Sequence, residues 1–250
     1  MKKHIQKIII LLASVIATSL SAEDAKWSYS GETGPENWAE ISEDYALCKT
    51  GKNQSPVNID LKATASADKK GIKFNYGLII PDSIVNNGKF IQADVSMGTD
   101  ITVDDIEFEL KSLQFHMPSE NTVDGQHFPM EVQFVHESKK KELAYVSMMF
   151  IPGRQNRLLS KILEELPAEV GKEEHLSGNS LRSIEMRKKL DSYYRYNGSM
   201  TTPPCSEGVR WFIMKQNQSL SKEQYAAFKA AMKEDNNRPV QPLNARIIME

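Results

Sequence analysis

Apolar and polar residues alternate along much of the chain, and the alternation is clearest between residues 113 and 136. Two apolar runs, 113–117 and 130–135, flank a segment rich in turn-forming residues. The residues that interrupt the pattern there are Pro118, Asn121, Asp124, Gly125 and Pro129. This arrangement predicts two strands joined by a loop.

The two predicted strands carry polar side chains on one common face. Side chains two residues apart on a strand point to the same side. Gln114 and His116 therefore share one face, and Glu131 and Gln133 share one face of the second strand. If the strands are neighbours, these four polar side chains gather on one surface of a sheet.

Further strand patterns dominate the chain, and helical patterns are few. Strand-like runs cover residues 84–89, 101–110, 143–151 and 209–214, the first ending in an Asn-Gly turn signal. Apolar residues at helical spacing predict helices at 155–166 and 221–233, where Ser221 and Gln224 form a potential capping box. We find no repeat and no linker, so we expect one mixed, β-rich (α+β) domain with short surface helices.

The N-terminus has the features of a secretory signal peptide. Lys2, Lys3 and Lys7 precede an apolar run, and small residues follow up to Ala22. A membrane anchor is the alternative, but the run is shorter than the roughly 20 apolar residues of a spanning helix. We therefore expect a signal peptide at 1–22, a mature domain at 23–250, a periplasmic or secreted location, and no membrane association after cleavage.

The distribution of charge argues against a nucleic-acid partner, and the two cysteines suggest a disulfide. The net charge is −2 with both signs spread evenly, whereas a nucleic-acid partner would require a basic stripe. The lysine run 139–141 is interpreted as a solvated hairpin turn, with phosphate or membrane binding as the alternative. Cys48 and Cys205 are the two cysteines, and in an exported protein they are expected to form a disulfide, the alternative being two buried thiols.

Several segments together resemble the α-carbonic anhydrases. The matching segments are Gln54-Ser55-Pro56-Val57-Asn58-Ile59, Pro118-Ser119-Glu120, Tyr196-Asn197-Gly198-Ser199-Met200-Thr201-Thr202-Pro203-Pro204-Cys205, and the closing run from Arg238 to Asn244. The resemblance extends from Trp27 to Ile248. It implies a large, twisted, mostly antiparallel central sheet, a cis Ser55–Pro56 bond, a Cys48–Cys205 bridge, and the reversible hydration of CO2 to bicarbonate.

The resemblance also implies a zinc ion held by three histidines, with a fourth position open for water. The three family positions fall on Gln114, His116 and Gln133, and Glu131 falls on the acid that supports the third ligand. A neutral amide oxygen is a poor zinc donor compared with an imidazole. We therefore expect zinc to be absent or weakly bound here.

Other family positions are kept or altered. Thr201 falls on the position that orients the zinc-bound hydroxide, Thr202 on its substrate-binding neighbour, and Glu120 on the glutamate that accepts from the threonine. Lys89 stands at the proton-shuttle position and is interpreted as an exposed turn residue. Tyr145 stands in the CO2 pocket, where its ring would fill the space. A one-residue register slip would instead send Tyr145 to the other face of its strand. The alternative interpretation is a tyrosine that simply packs in the core.

Three hypotheses follow from this pattern. The first is a carbonic-anhydrase-related protein with a degraded zinc site and weak or no hydratase activity, whose amides at Gln114 and Gln133 hydrogen-bond each other, His116, Thr201 or water. Its ligand would be CO2, bicarbonate or another small anion, or a protein partner. The second is an active carbonic anhydrase whose Gln/His/Gln site uses zinc, another metal or none. The third is a structural or adhesive exported domain, for which the sequence has no positive signal.

Overall fold

The computed structural model describes residues 26–66, 71–97, 99–175, 181–182, 190 and 192–250. The predicted signal peptide at 1–22 lies outside the described residues. The β-strands are β1 (Asn58–Ile59), β2 (Lys73–Phe74), β3 (Leu78–Asn86), β4 (Ile91–Met97), β5 (Asp100–Val103), β6 (Ile106–His116), β7 (Thr122–Val123), β8 (Met130–Ser138), β9 (Leu143–Pro152), β10 (Glu173–His175), β11 (Leu181–Arg182), β12 (Tyr193–Ser199), β13 (Glu207–Met214) and β14 (Gln218–Leu220). The α-helices are α1 (Trp38–Ile41), α2 (Leu47–Thr50), α3 (Arg157–Glu165) and α4 (Lys222–Met232).

One large sheet organises the molecule, as the resemblance to the α-carbonic anhydrases implies. Its central path runs β10-β3-β4-β6-β8-β9-β13-β12, and short strands extend it at several points. Most neighbours are antiparallel, whereas β9 pairs in parallel with β13 and β14. A mostly antiparallel sheet with a few short helices is the expected β-rich architecture.

The central strands alternate between the two faces of the sheet. Phe108, Leu113 and Phe115 on β6 pack into the larger apolar cluster, together with Val132 and Phe134 of β8. This cluster occupies one side of the sheet, and its burial is a main source of stability. The opposite side of β6 and β8 is therefore left to the polar side chains at 114, 116, 131 and 133.

The predicted helices and strands are confirmed with shifted boundaries, except for the single strand predicted at 101–110. The helix expected at 155–166 begins after Asn156, whose side chain accepts from the amides of Leu158 and Leu159. The capping box of Ser221 and Gln224 is present at the start of α4. The run 101–110 is not one strand, because Asp104 and Asp105 adopt positive φ angles of 50° and 64° and form a turn between β5 and β6.

The loop that carries Thr201 and Thr202 is attached to the N-terminal part of the chain. Cys48 and Cys205 form a disulfide with a Cα–Cα distance of 5.0 Å. The Ser55–Pro56 bond is cis, as expected. Among the described residues, no helix combines the length and apolar character needed to cross a bilayer.

Candidate functional site

Strands β6 and β8 place the four predicted polar residues side by side. Gln114 lies directly opposite Gln133, and His116 lies directly opposite Glu131. Cross-strand neighbours of this kind have Cβ atoms about 5 Å apart. The expected polar surface therefore exists, in the interior of the sheet, where its backbone is fixed by strands on both sides.

His116 is fully buried and its ring is held in one orientation. Its Nδ1 lies 2.8 Å from the carbonyl oxygen of Asn236, which can only accept, so Nδ1 donates. The side chain of Asn236 also holds this strand end, accepting from the amide of Met117 and donating to the carbonyl of Phe115. The second ring nitrogen, Nε2, is buried and has no hydrogen-bond partner among the described residues.

Gln133 is anchored by two carboxylates. Its Nε2 donates to Glu120 Oε2 at 2.7 Å and to Glu131 Oε1 at 3.2 Å. Because a carboxylate accepts hydrogen bonds, these two contacts fix the amide with its nitrogen toward the acids. The carbonyl oxygen Oε1 points away from them and is buried without a partner in the part of the chain that the structure describes.

Gln114 is oriented in the same way by a chain of amides. Its Nε2 donates to Gln92 Oε1 at 3.1 Å, and Gln92 Nε2 donates to Asp94 Oδ1 at 2.6 Å. The carboxylate of Asp94 thus sets the direction of both amides. Among the described residues, these amide nitrogens donate to Gln92, Glu120 and Glu131, and no hydrogen bond joins Gln114 or Gln133 to the other, to His116 or to Thr201. A hydrogen bond to water, the remaining expectation, stays a prediction.

Glu131 is the best-satisfied acid of the site. Its Oε2 accepts from the amides of Glu120 and Asn121, and its Oε1 accepts from Asn121 Nδ2 and from Ser147 Oγ at 2.7 Å. Burial raises the pKa of this carboxyl, and the nearby charge of Glu120 raises it further, while the bonds from Ser147 and Asn121 act in the opposite direction. Glu131 therefore holds Gln133 and the 120–121 backbone in place.

Glu120 connects the polar surface to the C-terminal segment. Its Oε1 accepts from the backbone amide of Arg238 at 3.0 Å, and its Oε2 accepts from Gln133. Thr201 is buried, and no hydrogen bond joins it to Glu120 among the bonds that the structure describes. The backbone carbonyl of Thr202 accepts from the amide of Cys205 at 2.9 Å, which closes the turn of this loop.

Tyr145 lies on the same side of the sheet as the polar residues. It pairs with Val135 on β8 and with Trp211 on β13, and its ring centroid is 4.7 Å from that of Trp211. It belongs to the smaller apolar cluster with Val135 and Val209, against which Met200 packs. Burial, and then the charge of Glu120, raise the pKa of Tyr145. The phenol therefore lies within the electrostatic reach of the site.

Two aromatic contacts on this side of the sheet were not anticipated. Lys89 is half-buried rather than exposed, and its Nζ lies 4.1 Å from the centroid of the Trp27 ring. The ring of Phe90 lies 6.0 Å from that of His116. Tyr29 is also close, since burial and then the charge of Glu120 raise the pKa of its phenol.

The residues at the expected metal positions do not suit zinc. Zinc sites in proteins are built from imidazoles, thiolates and carboxylates. Here the potential donors are one imidazole nitrogen, from His116, and the neutral amide groups of Gln114 and Gln133. The described residues contain no cluster of three or more His, Cys, Asp or Glu side chains placed to hold a metal ion. His116 Nε2 and Gln133 Oε1 are nevertheless left as two buried acceptors on the same surface.

Comparisons with known proteins agree with the architecture. The family model described as eukaryotic-type carbonic anhydrase matches residues 33–250. A carbonic anhydrase of Pectobacterium carotovorum is 39% identical over 241 residues, covering 96% of this chain and 97% of that protein. A hyperthermostable carbonic anhydrase from a hydrothermal vent chimney is 48% identical with a TM-score of 0.83, covering 90% of this chain and 99% of the other.

A more distant similarity involves a protein with a different name. A crystal structure of dioscorin complexed with ascorbate is 29% identical with a TM-score of 0.82, covering 90% of this chain and 97% of that chain. The similarity to all these proteins extends over the whole described domain and not over a single motif. Together with the sheet topology and the family match, it shows that the chain belongs to the eukaryotic-type, or α-, carbonic anhydrase family.

Proposed function

We propose that this protein is a carbonic-anhydrase-related protein in which Gln114 and Gln133 stand at two of the three zinc positions, and that its hydratase activity is weak or absent. The orientation of Gln133 carries the proposal. Its amide nitrogen is committed to Glu120 and Glu131, so the residue presents only a neutral oxygen where an imidazole nitrogen would be needed.

The surrounding residues support the same conclusion. A hydroxide-orienting threonine requires an acceptor, and Glu120 is the family's acceptor position. Here Glu120 accepts from Arg238 N and from Gln133 Nε2, and no hydrogen bond from Thr201 to it is among those that the structure describes. Tyr145 stands among Val135, Val209 and Trp211, where the resemblance places the CO2 pocket. A phenol in that position leaves less room for the substrate.

Metal content and CO2 hydration of the purified protein test the proposal directly. We expect no stoichiometric zinc after incubation with excess zinc, and no hydration above the uncatalysed rate. The double variant Gln114→His/Gln133→His should then bind one zinc per chain, and adding Tyr145→Val should raise its hydration rate further. A matched control, Gln155→His/Gln216→His, adds two imidazoles at exposed positions and should gain neither property.

One result would contradict the proposal outright. If the native protein carries one zinc per chain and hydrates CO2, the active-enzyme hypothesis with a non-standard site is correct instead.

We also propose that the protein acts outside the cytoplasm after removal of residues 1–22. Intact-mass measurement of the native exported protein tests this, because retention of the full N-terminal segment would refute it.

A further inference from the structure

The three side chains at the family's metal positions form a cluster of hydrogen-bond acceptors. Each has its donating end held by an acceptor oxygen. These oxygens are the carbonyl of Asn236 for His116, the carboxylates of Glu120 and Glu131 for Gln133, and Oε1 of Gln92 for Gln114. The amide of Gln92 is itself oriented by Asp94. What remains of each is a lone-pair atom. These atoms are Nε2 of His116 and Oε1 of both glutamines.

Two of these acceptors are unsatisfied in a way that favours a bound donor. His116 and Gln133 are fully buried, and neither Nε2 nor Oε1 has a partner among the described residues. Leaving a buried polar atom without a hydrogen-bond partner costs free energy. A ligand that donates a hydrogen bond to each atom would remove this cost, whereas an apolar ligand or a further acceptor would not.

The charges around the cluster disfavour an anion. Glu120 and Glu131 are fully buried within one hydrogen bond of Gln133, and the guanidinium of Arg238 points away, donating to Gln54 Oε1 and to the carbonyls of Ser55 and Cys48. Without a metal cation, an incoming anion would meet lone pairs and carboxylates in a medium of low dielectric constant.

We propose that this site binds a small neutral or positively charged molecule through its N–H or O–H groups, with His116 Nε2 and Gln133 Oε1 as the acceptors. This inference rests on the proposed function, because a zinc ion would occupy the same atoms. The ligand class differs from the small anion that the family resemblance implies. An amine, an amide or an alcohol has the required chemistry, whereas bicarbonate, although it has one O–H group, is an anion.

The tautomer of His116 provides the readout. With Nδ1 protonated and Nε2 bare, the 15N resonance of Nε2 responds to a hydrogen bond accepted there. Protein labelled with 15N-histidine is titrated with ammonium chloride and with urea below denaturing concentrations, and the His116→Gln variant assigns the resonance by its loss. We expect a saturable movement with either donor, and none with sodium bicarbonate or with sodium chloride at equal ionic strength.

Gln133→Met tests the second acceptor. Glu131 keeps four other donors in this variant, and Glu120 keeps the amide of Arg238. The affinity for the donor probe should fall about tenfold, as expected for one lost hydrogen bond of about 1.4 kcal/mol. The matched variant Gln216→Met, at an exposed position, should leave the affinity unchanged. If Gln133→Met does not fold, the titration of the native protein still decides.

The outcomes separate this inference from the proposed function. A metal-free protein whose His116 resonance moves with bicarbonate, or with none of the probes, overturns the inference and leaves the proposed function intact. Stoichiometric zinc in the native protein overturns both. A saturable response to ammonium or urea in metal-free protein, weakened by Gln133→Met, supports both.

Discussion

His136 makes the stability of this protein sensitive to acid. The side chain is fully buried beneath Tyr76, and burial lowers its pKa to about 3 from the ordinary value of 6.5. Its Nδ1 donates to the carbonyl of Phe134 at 2.9 Å, and its Nε2 accepts from the Tyr76 hydroxyl at 2.8 Å. The folded protein therefore favours the neutral imidazole, because the buried site disfavours the charged imidazolium. In acid the unfolded chain binds a proton at His136 that the folded protein does not bind.

The size of the effect follows from the two pKa values. The folded pKa is depressed, so the contribution is complete above the unfolded value of 6.5 and is lost as the pH falls toward 3. At about pH 5 the unfolded imidazole is almost fully protonated and the folded one is almost fully neutral, which lowers the free energy of unfolding by about 2 kcal/mol relative to neutral pH.

Urea unfolding at neutral pH and at about pH 5 measures this loss. The variant His136→Gln stays neutral at both values, so we expect its stability to fall by about 2 kcal/mol less than that of the native protein. Carboxyl groups that titrate in the same range are common to both proteins and cancel in the comparison. Tyr76→Phe retains the buried imidazole and should keep the acid sensitivity. Equal pH dependence of the native protein and His136→Gln would refute the reasoning.

Two other predictions concern the attachment of the C-terminal segment and the Thr201 loop. Arg238 is buried and donates to three neutral acceptors, and each buried acceptor left unpaired costs about 1–3 kcal/mol. Arg238→Met should therefore lower the free energy of unfolding by about 3 kcal/mol or more in urea titrations. Arg238→Lys should lose less, and a loss below about 1 kcal/mol for Arg238→Met would contradict the prediction. The disulfide closes a loop with a sequence separation of 157, so Cys48→Ser/Cys205→Ser should lower stability by about 5 kcal/mol in the chain-entropy model, and an unchanged urea midpoint would exclude it.

The alternation of apolar and polar residues predicted the strands β6 and β8, because that information is local and periodic, whereas the large sheet was implied by the family resemblance. Alternation in β6 and β8 placed Gln114, His116, Glu131 and Gln133 on one face, and the register of the two strands confirms that arrangement. The capping box of α4 was predictable for the same reason, since its partners are three residues apart. The turn at Asp104 was missed because strand alternation continues on both sides of it.

The partners of the site residues could not be predicted from periodicity. The ring of His116 is oriented by Asn236, which lies 120 residues further along the chain, and Gln114 is anchored by Gln92 from a different strand. Lys89 was predicted to be exposed, yet it packs over Trp27, a residue from the N-terminal segment. Such contacts depend on tertiary packing, and no spacing within one element encodes them. Asn236 lies two residues before the closing motif at 238–244. The position of this motif was the signal in the sequence that could have pointed to Asn236 as a residue near the site.

The direct pairing of Gln114 with Gln133 has a consequence for how substitutions at these two positions affect the fold. The two faces of β6 and β8 differ in character, since Phe115 and Val132 pack into the core on one side while Gln114 and Gln133 lie on the other. A substitution at 114 or 133 leaves the apolar side of its strand untouched. The scaffold can therefore accept substitutions at 114 and 133 without disturbing the packing of the larger apolar cluster.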